Sequence, residues 1–377
     1  PWVVSGKTEA ALRAQAERLH AFITERPELD LGAAAYSLLH SRTAFEHRAV
    51  VVAGDRGELL DGLEALASGG VALGVVSGVG TVGRRAVFVF PGQGSQWLGM
   101  AAGLWDSSSV FRERMAECER ALSPLVDWSL SAVVRQEAGA PGFDRVDVVQ
   151  PVLFAVMVSL AQVWRSYGVE PAAVVGHSQG EIAAACVAGV LSLEDAARVV
   201  ALRSKVLGVL ARRGGMVSVA LAVEQVLPRL VDGLSVAAVN GPLSTVVSGD
   251  VQALDELLVS CEADGVRARR IPVDYASHSA HVERIREELL ELLEPVRPQP
   301  GEVLFYSAVT GGVVDGTTLD GEYWYTNLRQ TVDFHGVTKA LLADGFDVFI
   351  EASAHPVLTA SIEESLEEAD ASAVVLG

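Results

Sequence analysis

Between the small apolar run Ala172 to Val175 and the helix-forming run Glu181 to Ala188 the chain reads Gly176-His177-Ser178-Gln179-Gly180. Residues 172–175 are partly β-branched and suit a strand, and the following residues suit a helix. The chain is therefore expected to turn sharply from strand to helix at a serine wedged between two glycines. Such a G-x-S-x-G elbow leaves no room for side chains at the glycines and pushes the serine hydroxyl outward at the strand tip. The helix that follows directs its free N–H groups and positive dipole end at the same point. Ser178 is the candidate nucleophile; the alternative is a turn serine with a purely structural role.

A sheet that carries such an elbow needs covering helices on both faces, and the 377 residues, 50% of them apolar, suffice for that and for more than one folding unit. Helical periodicity marks residues 8–22 and 57–67, with a strand at 49–54 between them. The Gly/Val/Ser segment 67–83 has no periodicity and reads as a loop or linker closing a first small α/β domain, residues 1–86. From the strand-like AVFVF at 86–90, short apolar strands alternate with helices, which favours a mainly parallel sheet over 87–213. From Gly214 to Pro272 short β-like runs surround one helix at 251–264, as expected of a small inserted α+β subdomain spanning 214–272. The main domain is expected to resume at Val273 and run through 377, with a helix at 336–344 and a strand at DVFIEAS.

Charge and cysteine content narrow the partners. The net charge is −19 and no Lys/Arg-rich run exists, so nucleic acid is not an expected partner. Cys118, Cys186 and Cys261 are scattered and match no metal spacing, which reads as reduced thiols in a cytoplasmic protein with no metal site. Despite a mean hydropathy of +0.32, the apolar runs read as broken by Gly, Arg or Asp short of bilayer length, and no signal-peptide pattern opens the chain, so no membrane role is expected. The first and last residues read as cuts within a longer polypeptide.

A serine needs a base to take its proton. Of the eight histidines, His20, His40, His47, His335 and His355 read as surface or structural groups, and His177 points away from its neighbour at a sharp turn. His278 and His281, in VDYASHSAHVE where the chain re-enters the main domain, are the candidates, and the sequence does not choose between them. For the oxyanion, FPGQGSQ at 90–96 follows a strand and has glycines on both sides of Gln93. The backbone N–H groups of Gln93 and Gln179 are thus the candidate pair, the alternative being an unliganded turn.

In order, GQGSQ, GHSQGE, an arginine about 25 residues on, YASH and a terminal E-x-x-x-HPVL resemble the acyltransferase domains of modular polyketide synthases, relatives of malonyl-CoA:acyl carrier protein transacylases. The resemblance covers residue 87 to the end, and residues 1–86 resemble the α/β linker joining ketosynthase to acyltransferase. It implies an α/β fold: an α/β-hydrolase-like main domain, a ferredoxin-like insert and the N-terminal linker domain. It makes Ser178 the nucleophile, His278 its base oriented by a backbone carbonyl, and Gln93 and Gln179 the oxyanion hole. It leaves His281 a bystander. Arg203, otherwise readable as a solvated helix arginine, would hold the free carboxylate of a malonyl-type acyl group, a task suited to a planar two-pronged donor.

Tyr275-Ala276-Ser277-His278 stands where malonyl-specific members carry HAFH. By resemblance this points to methylmalonyl, with Ser277 leaving room for an α-methyl group; Gln179 and RVDVVQ at 145–150 lean the same way. Malonyl and ethylmalonyl-type units stay as alternatives, because one methyl is worth only about 1–3 kcal/mol. The implied partners are a CoA thioester, the phosphopantetheine thiol of an acyl carrier protein and an adjacent ketosynthase domain in the same polypeptide, with no tightly bound cofactor. The rival readings are a serine esterase or thioesterase, and a non-catalytic docking segment of a synthase.

Overall fold

The computed structural model describes residues 1–80 and 83–377; Thr81 and Val82, part of the expected linker, lie outside the described residues. By its internal contacts the chain divides into two units, Pro1–Arg84 and Arg85–Gly377.

The first unit is a three-stranded antiparallel sheet, β1 (Trp2–Gly6), β2 (His47–Val51) and β3 (Val75–Val79), with helices α1 (Glu9–Thr24), α2 (Leu31–Ser41) and α3 (Arg56–Ser68). Thr8, Asp30 and Asp55 cap the helices through their side chains. Leu12, Ala16, Leu19 and Ile23 recur at helical spacing and pack on Leu59, Leu63 and Leu66 of α3 and on Val4 and Val51. The sequence reading missed β1 and α2, and the expected loop 67–83 contains β3. That strand pairs with β2 along its length, yet only Val75 is even half-buried. A strand with no buried face has no period-two pattern to display.

The second unit is built on a six-stranded sheet, ordered β11-β10-β5-β4-β13-β14. Its chain order starts with β4 (Ala86–Phe90), α4 (Ala102–Ser107), α5 (Ser109–Leu122), α6 (Leu130–Val134), α7 (Val146–Ser166), β5 (Ala173–Gly176), α8 (Gly180–Val187) and α9 (Leu193–Leu207). After the insertion come α12 (Arg286–Leu293), β10 (Leu304–Ser307), β11 (Gly312–Val314), α13 (Gly321–Arg329), β12 (Val332–Asp333), α14 (Phe334–Ala343), β13 (Val348–Glu351), α15 (Thr359–Glu368) and β14 (Val374–Leu376). All pairs in the large sheet are parallel except the β10–β11 hairpin. The central strands β4 and β5 are buried on both faces, as continuous apolar runs require.

Helix α7 departs from the reading that apolar runs stop short of bilayer length. By length and composition it is long enough to cross one, but 72% of its apolar window is buried inside the protein. It is the core helix against which α5, α8 and α9 pack.

The insertion runs β6 (Gly215–Val219), α10 (Val223–Val226), β7 (Leu234–Gly241), β8 (Ser244–Gly249), α11 (Val251–Ala263) and β9 (Ala268–Ile271). Its antiparallel order β7-β8-β6-β9 with two crossing helices is the ferredoxin-like arrangement. One strand of this sheet comes from outside the insertion: β12 pairs in parallel with β7. Two residues are too few to read from sequence, and they tie the small sheet to the returning main domain.

Candidate active site

Strand β5 ends at Gly176, and the His177 N–H donates to the Phe90 carbonyl of β4 at 2.8 Å, closing the elbow against the neighbouring strand. A Cβ at Gly180 would lie 2.0 Å from the Phe90 carbonyl oxygen, and one at Gly176 would lie 2.2 Å from the Glu181 nitrogen. Only glycine fits either place. Between them Ser178 has φ +52°, a left-handed conformation that costs about 1–3 kcal/mol at a non-glycine residue and persists only where its surroundings hold it. The holders are visible. The Ser178 carbonyl accepts from the Glu181 N–H at 3.0 Å and from Asn327 Nδ2 of α13 at 3.3 Å.

The hydroxyl of Ser178 lies 2.8 Å from His278 Nε2, and His278 Nδ1 lies 2.7 Å from the Gln330 carbonyl. A carbonyl only accepts, so Nδ1 carries the proton and Nε2 has its lone pair toward the serine. His278 is also left-handed, φ +57°, and its N–H donates to the Leu328 carbonyl at 2.9 Å. Burial, assisted by the nearby Arg203 cation, pushes its pKa down to about 3, so the imidazole is neutral and ready to accept. His281 takes no part: its Nε2 is 2.8 Å from Asp250. The geometry thus brings His278, and not His281, to the Ser178 hydroxyl.

Arg203 lies on α9, whose N-cap Ser192 accepts from the Asp195 N–H. Ala196, Val199, Val200 and Arg203 share the buried face at i, i+3, i+4 and i+7. Arg203 is only 1% exposed. Its Nη2 reaches to 3.5 Å from Ser178 Oγ, while Nε and Nη1 find no hydrogen-bond partner among the described residues. Burial lowers its pKa to about 10, opposed by the charge of Glu181; it stays a cation at neutral pH. A buried guanidinium with idle donors beside the Ser178 hydroxyl is a site suited to an anion.

The loop after β4 brings Gln93 to the same place, since a Cβ at Gly92 would stand 3.2 Å from His177 Nδ1. The Tyr275 hydroxyl donates to Gln93 Oε1 at 2.9 Å. Burial raises the Tyr275 pKa to about 12. Ser277, also buried, directs its hydroxyl to Met216 Sδ of β6 at 3.7 Å. Gln179 is buried as the N-cap of α8, and its side-chain amide has no partner among the described residues.

Sequence reasoning overlooked the groups around this centre. Glu181, fully buried, accepts from the Ala308 N–H at 2.6 Å, from the Tyr323 hydroxyl at 2.6 Å and from Asn327 Nδ2 at 2.8 Å. A lone carboxylate in the apolar helix GEIAAACV was the available signal. Gln330 acts through its carbonyl, which no residue type advertises. His177 holds Asn240 of β7 at 2.8 Å, linking the elbow to the small sheet. Glu351 of the E-x-x-x-HPVL segment accepts from the N–H groups of Val357, Leu358 and Thr359, an arrangement that folds the turn before α15.

A family model described as "Acyl transferase domain" matches residues 87–377, and one described as "CurL-like, PKS C-terminal" matches residues 2–63. Polyketide synthase GfsE of Streptomyces halstedii is 59% identical over 387 residues, covering 100% of this chain and 10% of that protein. Erythronolide synthase EryA2 of Saccharopolyspora erythraea is 55% identical over 384 residues, covering 100% of this chain and 11% of that protein. The chain thus spans a small fraction of these curated relatives. Among solved structures, the acyltransferase domain from module 8 of the salinomycin polyketide synthase superposes with a TM-score of 0.96 at 58% identity, covering 100% of this chain and 90% of that one. The acyltransferase domain of SpnD, in complex with 2-(pent-4-yn-1-yl)malonyl, superposes with a TM-score of 0.89 at 31% identity, covering 99% and 89%.

Proposed function

From the premise that this chain belongs to the acyltransferase domains of modular type I polyketide synthases, we propose that it moves an extender unit, methylmalonyl above others, from CoA to the phosphopantetheine thiol of an acyl carrier protein. One observation carries the carboxylated class of substrate: the buried Arg203, with unused donors, beside the nucleophile. An acyl group without a second carboxylate would leave that cation unpaired, a penalty large enough to discriminate.

The acyl carboxylate pairs with Arg203, which places the thioester carbon at Ser178. His278 Nε2 takes the hydroxyl proton as Oγ attacks, and the tetrahedral oxyanion rests on the N–H groups of Gln93 and Gln179. Collapse breaks the C–S bond, and the imidazolium returns its proton to the departing CoA thiolate. The acyl ester on Ser178 is then attacked by the carrier's thiol, whose proton passes to His278 and on to Oγ as the ester bond breaks. Carboxylate binding also removes the Arg203 charge that helps hold His278 down, so the base strengthens when the right substrate is present.

Tyr275 and Ser277 support the methylmalonyl preference by resemblance, with malonyl and bulkier malonyl units as the alternatives; the ligand in the SpnD structure is one reason to include a bulkier unit in the test. Residues 1–86 are proposed to be the ketosynthase-to-acyltransferase linker. The domain would then work beside a ketosynthase in the same cytoplasmic polypeptide.

The test is intact-protein mass spectrometry after brief mixing with equimolar malonyl-, methylmalonyl- and ethylmalonyl-CoA. A predominant methylmalonyl adduct supports the reading. A predominant malonyl or ethylmalonyl adduct keeps the transferase and overturns the extender choice. Free acid without adduct overturns the transferase in favour of a hydrolase.

A further inference from the structure

The proposed reaction uses Arg203 and leaves Glu181 without a task, although burying a carboxylate completely is costly. Glu181 begins one turn after the nucleophile, and its charge is the carboxylate charge that Arg203 senses. Asn327 Nδ2 bridges the two centres, donating both to Glu181 Oε2 and to the Ser178 carbonyl. Tyr323, which also donates to Ser307 Oγ at 2.7 Å, and the Ala308 N–H complete the shell. Its three hydrogen-bond donors are all neutral, and among the described residues Arg203 is the cation whose charge acts on it.

We propose that Glu181 is the resident counter-ion of Arg203, and that it takes up a proton when an acyl group bearing a free carboxylate binds to that arginine. The inference rests on the reading of Arg203 given above. With the site empty, the buried Arg203 cation and the buried Glu181 carboxyl act on each other electrostatically without a direct ion pair. A substrate carboxylate adds a second negative charge to the same enclosed space, which disfavours the ionised form of Glu181. Burial already raises the Glu181 pKa to about 7, so a proton is within reach at neutral pH.

The elements packed on α8 offer few competing groups. From α9 there is Arg203; from α13, Tyr323, whose pKa burial and the Glu181 charge raise well above the ordinary value. Strands β4 and β5 carry no titratable side chain. On α7 Asp147 pairs with Arg145, and Arg165 with Glu170 and the Val187 carbonyl. On β10 Tyr306 donates to Asp344. On either side of Ser178, His177 and His278 are both held neutral by burial.

The expected signature is a KM for methylmalonyl-CoA that rises with pH. If the bound carboxylate raises the Glu181 pKa by about one unit, KM climbs about sevenfold from about pH 6 to about pH 8.5, toward a limit of about tenfold. In Glu181→Gln that rise disappears and KM stays near the acid-side value of the native protein. The CoA phosphates titrate in the same range but contribute equally to both proteins. A Glu181→Gln protein that keeps the native pH dependence overturns the proposal, as does one whose kcat falls with KM unchanged at every pH, the mark of a purely structural carboxylate. Should that variant fold poorly, calorimetry on Ser178→Ala in two buffers of different ionisation enthalpy reads the proton directly. Uptake with methylmalonyl-CoA beyond that with CoA itself supports the proposal, and equal uptake overturns it. The Arg203 reading fails separately: wild-type protein would then acylate with propionyl-CoA as readily as with methylmalonyl-CoA.

Discussion

The two members of the Ser178–His278 pair are held by opposite means. Both have left-handed backbones, φ +52° and +57°, each at a cost of about 1–3 kcal/mol. Ser178 is fixed mainly by its flanking elements, with Asn327 of α13 as a distant holder: β4 and β5 pair beneath it, two glycines admit the close approach of Phe90 and Glu181, and α8 starts at once. His278 is fixed from a distance, by the carbonyls of Leu328 at the end of α13 and of Gln330 just after it, some fifty residues on. That stretch is in turn held by β12 pairing with β7 of the small sheet. The Ser178 turn is shaped mostly by the strands and helix beside it, whereas the position of His278 needs the insertion and the main domain to be assembled together.

The largest effects should come from breaking either member directly. Ser178→Ala is expected to give no acyl adduct by mass spectrometry with any acyl-CoA. His278→Ala keeps the hydroxyl but loses its base, and single-turnover acylation should slow by about a hundredfold to ten-thousandfold. If the alanine variant at 278 acylates at the wild-type rate, the pairing at 2.8 Å is not the working one. Next in size, Arg203→Ala should lower acylation by methylmalonyl-CoA by about a hundredfold while leaving propionyl-CoA nearly unchanged. A uniform loss with both donors would mean that the arginine supports the fold rather than the carboxylate.

This asymmetry also decides what the sequence could reveal. The elbow was legible because its demands fall on residue types: two glycines without room for a Cβ, and a strand and a helix with their own propensities. The parallel sheet and strands β6 and β8 of the insertion were legible because their inward faces are continuous or alternating apolar runs. The anchor of His278 was not, since a carbonyl at Gln330 is common to all residues. Strand β3 escaped because it buries no face, and β12 because it is two residues long. Arg203 was ambiguous by type, and only its burial rules out the solvated helix arginine.

Smaller effects probe the supports of the pair. Asn327→Ala removes a bridge between the Ser178 carbonyl and Glu181 and leaves a buried carboxylate short of a donor, a loss of about 1–3 kcal/mol visible as a lower Tm. The turnover rate should fall with it, because the elbow loses one of its holders. The pH dependence of kcat tests the other member. The His278 pKa is lowered, so the inactivating proton binds only in more acid solution than for a free imidazole. The acid limb of kcat should therefore lie below about pH 6, and a midpoint near the free-imidazole value of about 6.5 would show that the histidine is not buried in the working state.

The smallest effect is the sharpest test of the comparison. His278 is oriented by the main chain of Gln330, not by its amide, so Gln330→Ala should change kcat by less than about threefold, within the range of substitutions that remove no buried interaction. Shifting the backbone itself is another matter. Thr331→Pro fixes φ just beyond that carbonyl, removes the N–H of residue 331 and the hydroxyl that donates to the Val236 carbonyl at 2.8 Å, and restricts Gln330 as the residue before a proline. Its kcat should approach that of His278→Ala while the elbow, which depends on β4, β5 and α8, stays folded. A Gln330→Ala protein as slow as Thr331→Pro would show that the side chain, and not the carbonyl, positions the base.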